Sequence, residues 1–224
     1  MSNFLHRVGI MKRSPSPVFP MASITQVGAS SSTAETITAP AGIVFGDILV
    51  LLQYSDGFFT LPTAVVPTGF VNVVNSTDTG RRTIASVKIA DGTEAGATLT
   101  GMNATGFGTT NAKAMEVFRG DAAAVQLETK GALGAVIDGN PVAQVQTIAS
   151  ETAPLIVIGG YGAGAAISPR TWTPGPVQGE VNPNTTLYLA YQIFNSSPAN
   201  TTIDMDDEGS GNGLQSFTLI PYKV

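Results

Sequence analysis

The chain has 224 residues, of which 43% are hydrophobic and only 12% are charged, about half of the ~25% usual in soluble domains. It contains no cysteine, which excludes disulfides and thiolate metal sites, and its single histidine is His6, which excludes a Ser-His-Asp triad or a multi-histidine zinc site in the body of one chain. Residues 1–20 carry three basic and no acidic side chains, whereas the remainder carries 8 basic and 16 acidic ones. An acidic body disfavours nucleic acid as a partner, and no stretch approaches the ~18 apolar residues of a membrane span.

Residues 1–20 are predicted to form an extended N-terminal arm. Pro15, Pro17 and Pro20 oppose both helix and strand, and the segment lacks the continuous apolar region of a signal peptide. One interpretation is a leader that is disordered or never translated, with Met21 as a natural start. The other is a basic arm that orders on a neighbouring subunit, for which the expected interaction residues are Phe4, Arg7, Lys12 and Arg13.

The chain then alternates short apolar runs with Gly, Pro and Asn turns, which is typical of a β-protein. Ile48–Leu52 is apolar without a break, which indicates a strand covered on both faces and therefore a central one. Further strands are predicted over Ser23–Val27, Glu35–Thr38, Phe70–Val74 and Lys113–Val117.

Arg81–Gly101 has the pattern of a strand, a turn and a second strand, which predicts a hairpin. The same pattern returns in Thr185–Asp204 at a shift of 104 residues. This shift is even, so inward faces are mapped onto inward faces. The residues predicted to face the interior are Ala85, Val87, Ile89, Leu187, Leu189, Tyr191 and Ile193.

Two further stretches extend this internal similarity. Leu155–Ile158 is a second unbroken apolar strand, predicted to be central and placed 107 residues after Ile48–Leu52. Leu214–Ile220 echoes Lys113–Val117 at a shift of 102. The predicted fold is therefore all-β, an antiparallel β-sandwich of jelly-roll type spanning residues 21–224, with pseudo-duplicated halves at roughly 21–120 and 121–224. Two small sandwiches in tandem are the alternative.

A glycine pattern in Leu155–Ala166 is similar to a dinucleotide-binding fingerprint. Gly160-x-Gly162-x-x-Ala165 follows an apolar strand, as that motif does. The motif needs a helix N-terminus directly after the glycines to hold the pyrophosphate, but Pro169, Pro174 and Pro176 follow closely. No cofactor is therefore expected.

The densest acidic cluster is Asp204–Gly209, in which Asp204, Asp206 and Glu208 alternate as in the start of a calcium loop. The twelfth position is Gln215, which lacks the bidentate carboxylate that such a loop requires. A solvated acidic turn is the favoured interpretation, so no metal is expected and these three carboxylates are only weak metal candidates. They could also supply the carboxylate pair of a glycoside hydrolase, as any acidic turn could.

Trp172 is the only tryptophan, and it lies in a Gly- and Pro-rich segment predicted to be irregular. A loop tryptophan is usually a packing anchor or an interface residue. Since exposed aromatic side chains also stack on sugar rings, a glycan site around Trp172 is an open alternative.

Four stretches together resemble uncharacterised structural proteins of tailed bacteriophages: Pro40–Val50, Pro67–Phe70, Val87–Glu94 and Val117–Gly120. The resemblance implies a non-enzymatic component of the virion, either a minor tail protein or a capsid decoration protein, assembled in the host cytoplasm. The expected partners are tail or major capsid subunits and further copies of the chain, with a trimer as the first expectation; nucleic acid and membrane are not expected. A carbohydrate-binding module and a carbohydrate-active enzyme are the competing hypotheses.

Overall fold

The computed structural model describes residues 17, 19–56, 65–78, 81–100, 102, 110–130, 144–148, 154–162, 172–173, 179–181, 187–196, 201–205 and 212–223. Within these ranges every helix or strand that forms is a β-strand, and every strand pair is antiparallel. The protein is therefore all-β, as the sequence predicts.

The described strands divide evenly between the two halves of the chain. Those of the first half are β1 (Phe19–Pro20), β2 (Ile24–Ser32), β3 (Ile37–Thr38), β4 (Ile48–Asp56), β5 (Val71–Asp78), β6 (Arg81–Ile89), β7 (Thr98–Leu99) and β8 (Thr110–Gly120). Those of the second half are β9 (Gln126–Lys130), β10 (Gln144–Ile148), β11 (Leu155–Gly162), β12 (Trp172–Thr173), β13 (Gly179–Val181), β14 (Leu187–Phe194), β15 (Thr201–Met205) and β16 (Asn212–Lys223).

Two large sheets face each other. The first sheet has the order β2-β8-β4-β6-β5. The second sheet has the order β1-β16-β11-β14-β13, and β9 pairs with β16 on the side away from β11. The strands β4 and β11, which contain the two unbroken apolar runs, are central in their sheets, so this prediction is confirmed.

The main hydrophobic core lies between the two sheets. It draws Val50 and Leu52 from β4 and Ile156 and Ile158 from β11, which alternate with residues that face outward. The residues predicted to face the interior all belong to this core: Ala85, Val87, Leu187, Leu189 and Tyr191 are buried in it, and Ile89 and Ile193 pack at its margin.

The outer face of each sheet is also covered, which explains the unbroken apolar runs. Leu49 and Leu51 are fully buried on the outer face of the first sheet, beneath Ile37 and Phe70 among others. Leu155 and Val157 are equally buried on the outer face of the second sheet. Each central strand therefore has an apolar environment on both faces.

The two predicted hairpins are wrong. After β6 the chain does not return along β6; instead β7 pairs with β3, and both pack on the outer face of the first sheet. In the second half, β15 pairs with β10 and β12 rather than with β14. The turn explains the first case, because backbone N–H groups of Asp91 and Gly92 donate to the Glu94 carboxylate and direct the chain across the sheet.

The proposed shifts of 107 and 102 also need correction. They match the inward-facing Ile48 with the outward-facing Leu155, and the outward-facing Met115 with the inward-facing Phe217. The pairing registers instead match Val50 with Ile158 at a shift of 108, because Val50 pairs with Val87 and Glu116 while Ile158 pairs with Tyr191 and Phe217. The same registers match Glu116 with Phe217 at a shift of 101. A run that is apolar at every position contains no alternation, so a one-residue slip cannot be detected in it.

Candidate functional site

One buried cluster on the outer face of the first sheet contains a residue from each of the four stretches quoted at the end of the sequence analysis: Leu49, Phe70, Ala90 and Val117. The backbone of Gly46 donates to Ala90 O at 2.9 Å, and the backbone of Ala90 donates to Asp47 O at 2.7 Å. Asp47 is 1% exposed, and Arg119 binds its carboxylate with two hydrogen bonds of 2.7 Å, from Nε to Oδ1 and from Nη2 to Oδ2. Such paired bonds fix both partners in orientation, so the Asp47–Arg119 ion pair holds the loop before β4 to the end of β8.

The turn after β6 forms a second part of the same structure. Lys88 Nζ lies 2.6 Å from Glu94 Oε1 and 3.0 Å from Asp91 Oδ2. Burial by itself lowers the pKa of Lys88, but its two carboxylate partners outweigh burial and raise it. Hydrogen bonds from Thr93 and Lys88 lower the pKa of Asp91 to about 2. Lys88, Asp91 and Glu94 thus form ion pairs with one another within this turn.

A buried carboxylate, Glu116, lies in the main core. It is 1% exposed on β8, and Gln26 Nε2 donates a hydrogen bond of 3.2 Å to its Oε2. Burial raises the pKa of Glu116 from 4.5 to about 7, because the charged form is poorly solvated there. Burial and the Glu116 charge together raise the pKa of Tyr191 to about 12, and the Tyr191 ring packs edge-on against Phe118 with centroids 4.8 Å apart.

Sequence reasoning missed Glu116 because it considered only one face of β8. The alternation of Lys113, Met115 and Val117 predicts the strand from one face, and Glu116 lies on the other face. The signal was present in the other face, where Ala112, Ala114 and Phe118 are apolar and buried on either side of Glu116.

A second buried polar pair lies on the outer face of the first sheet. Lys113 is 1% exposed, and its Nζ donates to Ala34 O at 2.6 Å. Burial lowers the pKa of Lys113, although the Glu35 charge opposes this. Gln53 pairs with Lys113 across the sheet, and its Nε2 donates to Val65 O at 3.1 Å. Lys113 and Gln53 thereby attach the segments around Ala34 and Val65 to the outer face of the first sheet.

An open groove runs between the two sheets where β5 and β6 face β9. Its volume is about 420 Å³. On this side β5 is the last strand of the first sheet and β9 is the last described strand of the second sheet. The walls are mainly apolar and are formed by Val71, Val73, Val87, Ile89 and Leu127, of which Val71 is 65% exposed.

The opposite side of the sandwich is closed. There the Asn195 side chain accepts a hydrogen bond of 2.8 Å from the backbone N–H of Ile24 and donates one of 3.3 Å to its carbonyl oxygen. This amide joins the end of β14 in the second sheet to β2 in the first, and β13 also contacts β2. The two long sides of the sandwich therefore differ, and the β5–β9 side has the open groove.

The sequence-predicted site residues are only partly described. Phe4, Arg7, Lys12 and Arg13 of the arm, and Asp206 and Glu208 of the acidic cluster, lie outside the described residues.

Trp172 and Asp204 are described at the level of the strands that contain them. Trp172 begins the short strand β12 rather than lying in an irregular loop, so that prediction is wrong. Trp172 pairs with Met205, and Thr173 pairs with Asp204. The fold thus brings the tryptophan and the first acidic residue onto adjacent strands. In the described part of the chain, no group of three or more His, Asp or Glu side chains could hold a metal ion.

The glycine pattern after Leu155 is part of a strand. β11 continues through Gly162, and Gly160 pairs with Leu189 on one side and Leu214 on the other. These glycines therefore lie in a sheet ladder, whereas a phosphate-binding fingerprint places them in the turn after the strand.

No family model, curated protein or solved structure matches this chain. Among the residues that the structure describes, no helix is long and apolar enough to cross a membrane.

Proposed function

We propose that the protein is a non-enzymatic structural component of a tailed-bacteriophage virion, an accessory β-sandwich subunit attached to the tail or to the capsid surface. The observation that supports this proposal most is the convergence of the four motif stretches into one interlocked unit. Asp47 with Arg119, and Glu94 with Lys88, form mutual ion pairs and hold turns. Ion pairs that hold turns in place make a fold rigid, and a virion subunit requires a rigid fold.

Attachment is assigned to the basic arm. Residues 1–20 carry three basic side chains and no acid, while the rest of the chain has 8 basic and 16 acidic residues. Charge complementarity of this kind favours docking of the arm on an acidic neighbouring subunit. The neighbours are tail or major capsid proteins and further copies of the chain, with a trimer as the first expectation.

The sandwich is proposed to be of jelly-roll type and to consist of two duplicated halves. In support, the order β2-β8-β4-β6-β5 of the first sheet has a counterpart in β9-β16-β11-β14-β13. The small pair β3-β7 likewise has a counterpart in β10-β15. Each half then supplies one large sheet and one small ribbon.

Purified particles test the virion role. Phage induced from the strain that encodes the chain is banded on a density gradient and analysed by quantitative mass spectrometry. We expect the chain at a fixed copy number per particle, and cryo-electron microscopy then distinguishes tail from capsid. Abundant chain in the lysate together with none in the particle band would overturn the proposal.

The alternative function is a carbohydrate-binding module. The pairing of β12 with β15 favours it, since the only tryptophan then lies on a strand next to Asp204, and aromatic and carboxylate groups are a common combination for sugars. On a glycan array, this alternative expects binding that is lost in Trp172→Ala and kept in Phe45→Ala, a control at an aromatic residue that is 64% exposed. The virion role alone expects no glycan signal from either protein.

A further inference from the structure

The open groove between β5, β6 and β9 has the properties of a docking site for an extended peptide. Its two rims, β5 and β9, each have one edge that pairs with no other described strand. A strand at the edge of a sheet is a template to which an extended peptide can add as a further strand. Val71 on β5 is 65% exposed and Val73 and Leu127 line the interior, so an apolar side chain of the added strand would find an apolar wall.

We propose that this groove receives residues 1–16 of the N-terminal arm of a second copy of the chain; Phe19 and Pro20, at the end of the arm, remain paired with β16 of their own domain. The proposal deepens the attachment role given to the arm and rests on that role. It names the receiving surface and makes the arm exchange between copies the contact that holds the homo-oligomer together.

The direction of the chain argues for a second copy rather than the same one. Phe19 pairs with Lys223 and Pro20 with Tyr222, so β1 is antiparallel to β16. The N-terminal end of β1 therefore points toward the C-terminal end of β16. The groove lies the other way, because Leu127 and Thr129 pair with Pro221 and Leu219. The N-terminal end of β1 is thus directed away from the groove of its own domain.

The length and sequence of residues 1–16 suit binding in the groove of a second copy. Sixteen residues span up to about 50 Å when extended, which is enough to reach an adjacent copy. In an extended strand, Phe4, Val8 and Ile10 fall on one face, and this face would lie against the apolar wall. The net negative charge of residues 21–224 favours approach of a segment that carries Arg7, Lys12 and Arg13, while the described lining of the groove itself is mainly apolar and contains Lys88.

Cysteine cross-linking tests the proposal cleanly, because the natural chain contains no cysteine. Full-length Val8→Cys and Val71→Cys proteins are prepared with tags of different size, mixed, and oxidised gently. Val71 is mostly exposed, so its replacement leaves the core intact. We expect a covalent heterodimer at a yield at least ten-fold above that of the matched control, Val8→Cys mixed with Ser31→Cys. Ser31 is exposed on β2, at the opposite edge of the first sheet.

Two outcomes would overturn the proposal. One is a heterodimer yield equal to that of the Ser31→Cys control. The other is an intramolecular link in the Val8→Cys/Val71→Cys double variant with no heterodimer in the mixture, which would place the arm in its own groove. Particle analysis separates this failure from failure of the virion role: a chain that is present in particles without cross-linking refutes only the arm exchange, and cross-linking without incorporation refutes only the virion role.

Discussion

Glu116 lies in the main core, where β8 faces the second sheet. It is paired with the buried Val50 of β4 and is itself 1% exposed. A carboxylate at such a position stays neutral until the pH exceeds its raised pKa, because ionisation there loses the solvation of water. The free energy of unfolding therefore depends on pH through the ionisation of Glu116.

The sign of this linkage follows from the direction of the shift. The folded pKa of about 7 lies above the ordinary value of 4.5, so the stabilising contribution is complete below pH 4.5 and is lost as the pH rises through 7. The loss amounts to about 3 kcal/mol, and for a chain of this size each kcal/mol lowers the melting temperature by about 2–4 °C.

Glu116→Gln should remove this dependence, because the amide has the same shape and does not ionise. We expect a variant that melts several degrees above the natural protein at pH 8 and close to it at pH 5, measured by calorimetry across that range. Asn75→Gln, at an exposed uncharged residue of β5, is the control and should leave the profile unchanged. A natural protein whose melting temperature is flat from pH 5 to 8 would refute the buried titration.

At the scale of the elements, the turns decide which strands meet. The loop before β4 is held by Arg119 on Asp47 and by the backbone of Ala124, which donates to Gly46 O at 3.0 Å. Gly46 has φ +84° and Gly96, in the turn before β7, has φ +67°. Both positions require the left-handed conformation that glycine adopts without strain.

Gly46→Ala and Gly96→Ala form a matched pair that separates strain from crowding. A Cβ at Gly46 would lie against the backbone of Ala123 and 2.9 Å from the Ala124 nitrogen, whereas a Cβ at Gly96 meets no atom within 4 Å. We expect Gly96→Ala to cost about 1–2 kcal/mol for the conformation alone. Gly46→Ala should cost about 1–3 kcal/mol more for overpacking, as measured by urea unfolding. Equal losses in the two variants would show that the loop around Ala123 moves freely.

At the scale of the whole molecule, the main core is shared between the two halves of the chain. Its residues on β4, β6 and β8 belong to the first half, and those on β11, β14 and β16 belong to the second. A sheet with an uncovered apolar face is unstable in water. Neither half therefore has its full core without the other.

Expressing the halves separately tests this dependence. Residues 21–120 and 121–224 alone should show no cooperative thermal transition, and co-expression should restore one that resembles that of residues 21–224. Circular dichroism and hydrogen exchange provide the measurement. Two independent cooperative transitions would instead support two small sandwiches in tandem.

The N-terminal arm is expected to act on assembly of the whole molecule rather than on the stability of the domain. Deletion of residues 1–16 leaves β1 in place. We expect an unchanged melting temperature, loss of the oligomer in sedimentation velocity and failure to join the particle. Normal occupancy of the truncated chain in particles would show that the arm is not the anchor.

Local patterns in the sequence determined the all-β class, the two central strands and the inward face of β6 and β14. Each of these depends on alternation or on an unbroken apolar run, which a short stretch displays by itself. The sequence did not determine the partners of β7 and β15, because pairing depends on which distant strand the chain meets after a turn. The hydrogen bonds of Glu94 with Asp91 and Gly92 are local, but the strand β3 that β7 pairs with lies about 60 residues earlier in the chain.

Only the tertiary structure decided the faces of β4, β8 and β16, the burial of Glu116 and the open groove. The unbroken apolar runs look the same on both faces, so their register is set by neighbouring strands that lie far away in the chain. In the sequence, Glu116 looks like a solvent-exposed residue of an alternating strand, and it is buried only because the second sheet covers that face of β8. The groove exists because β5 and β9, which belong to different halves, meet without closing, and no local stretch of sequence describes a space between two sheets.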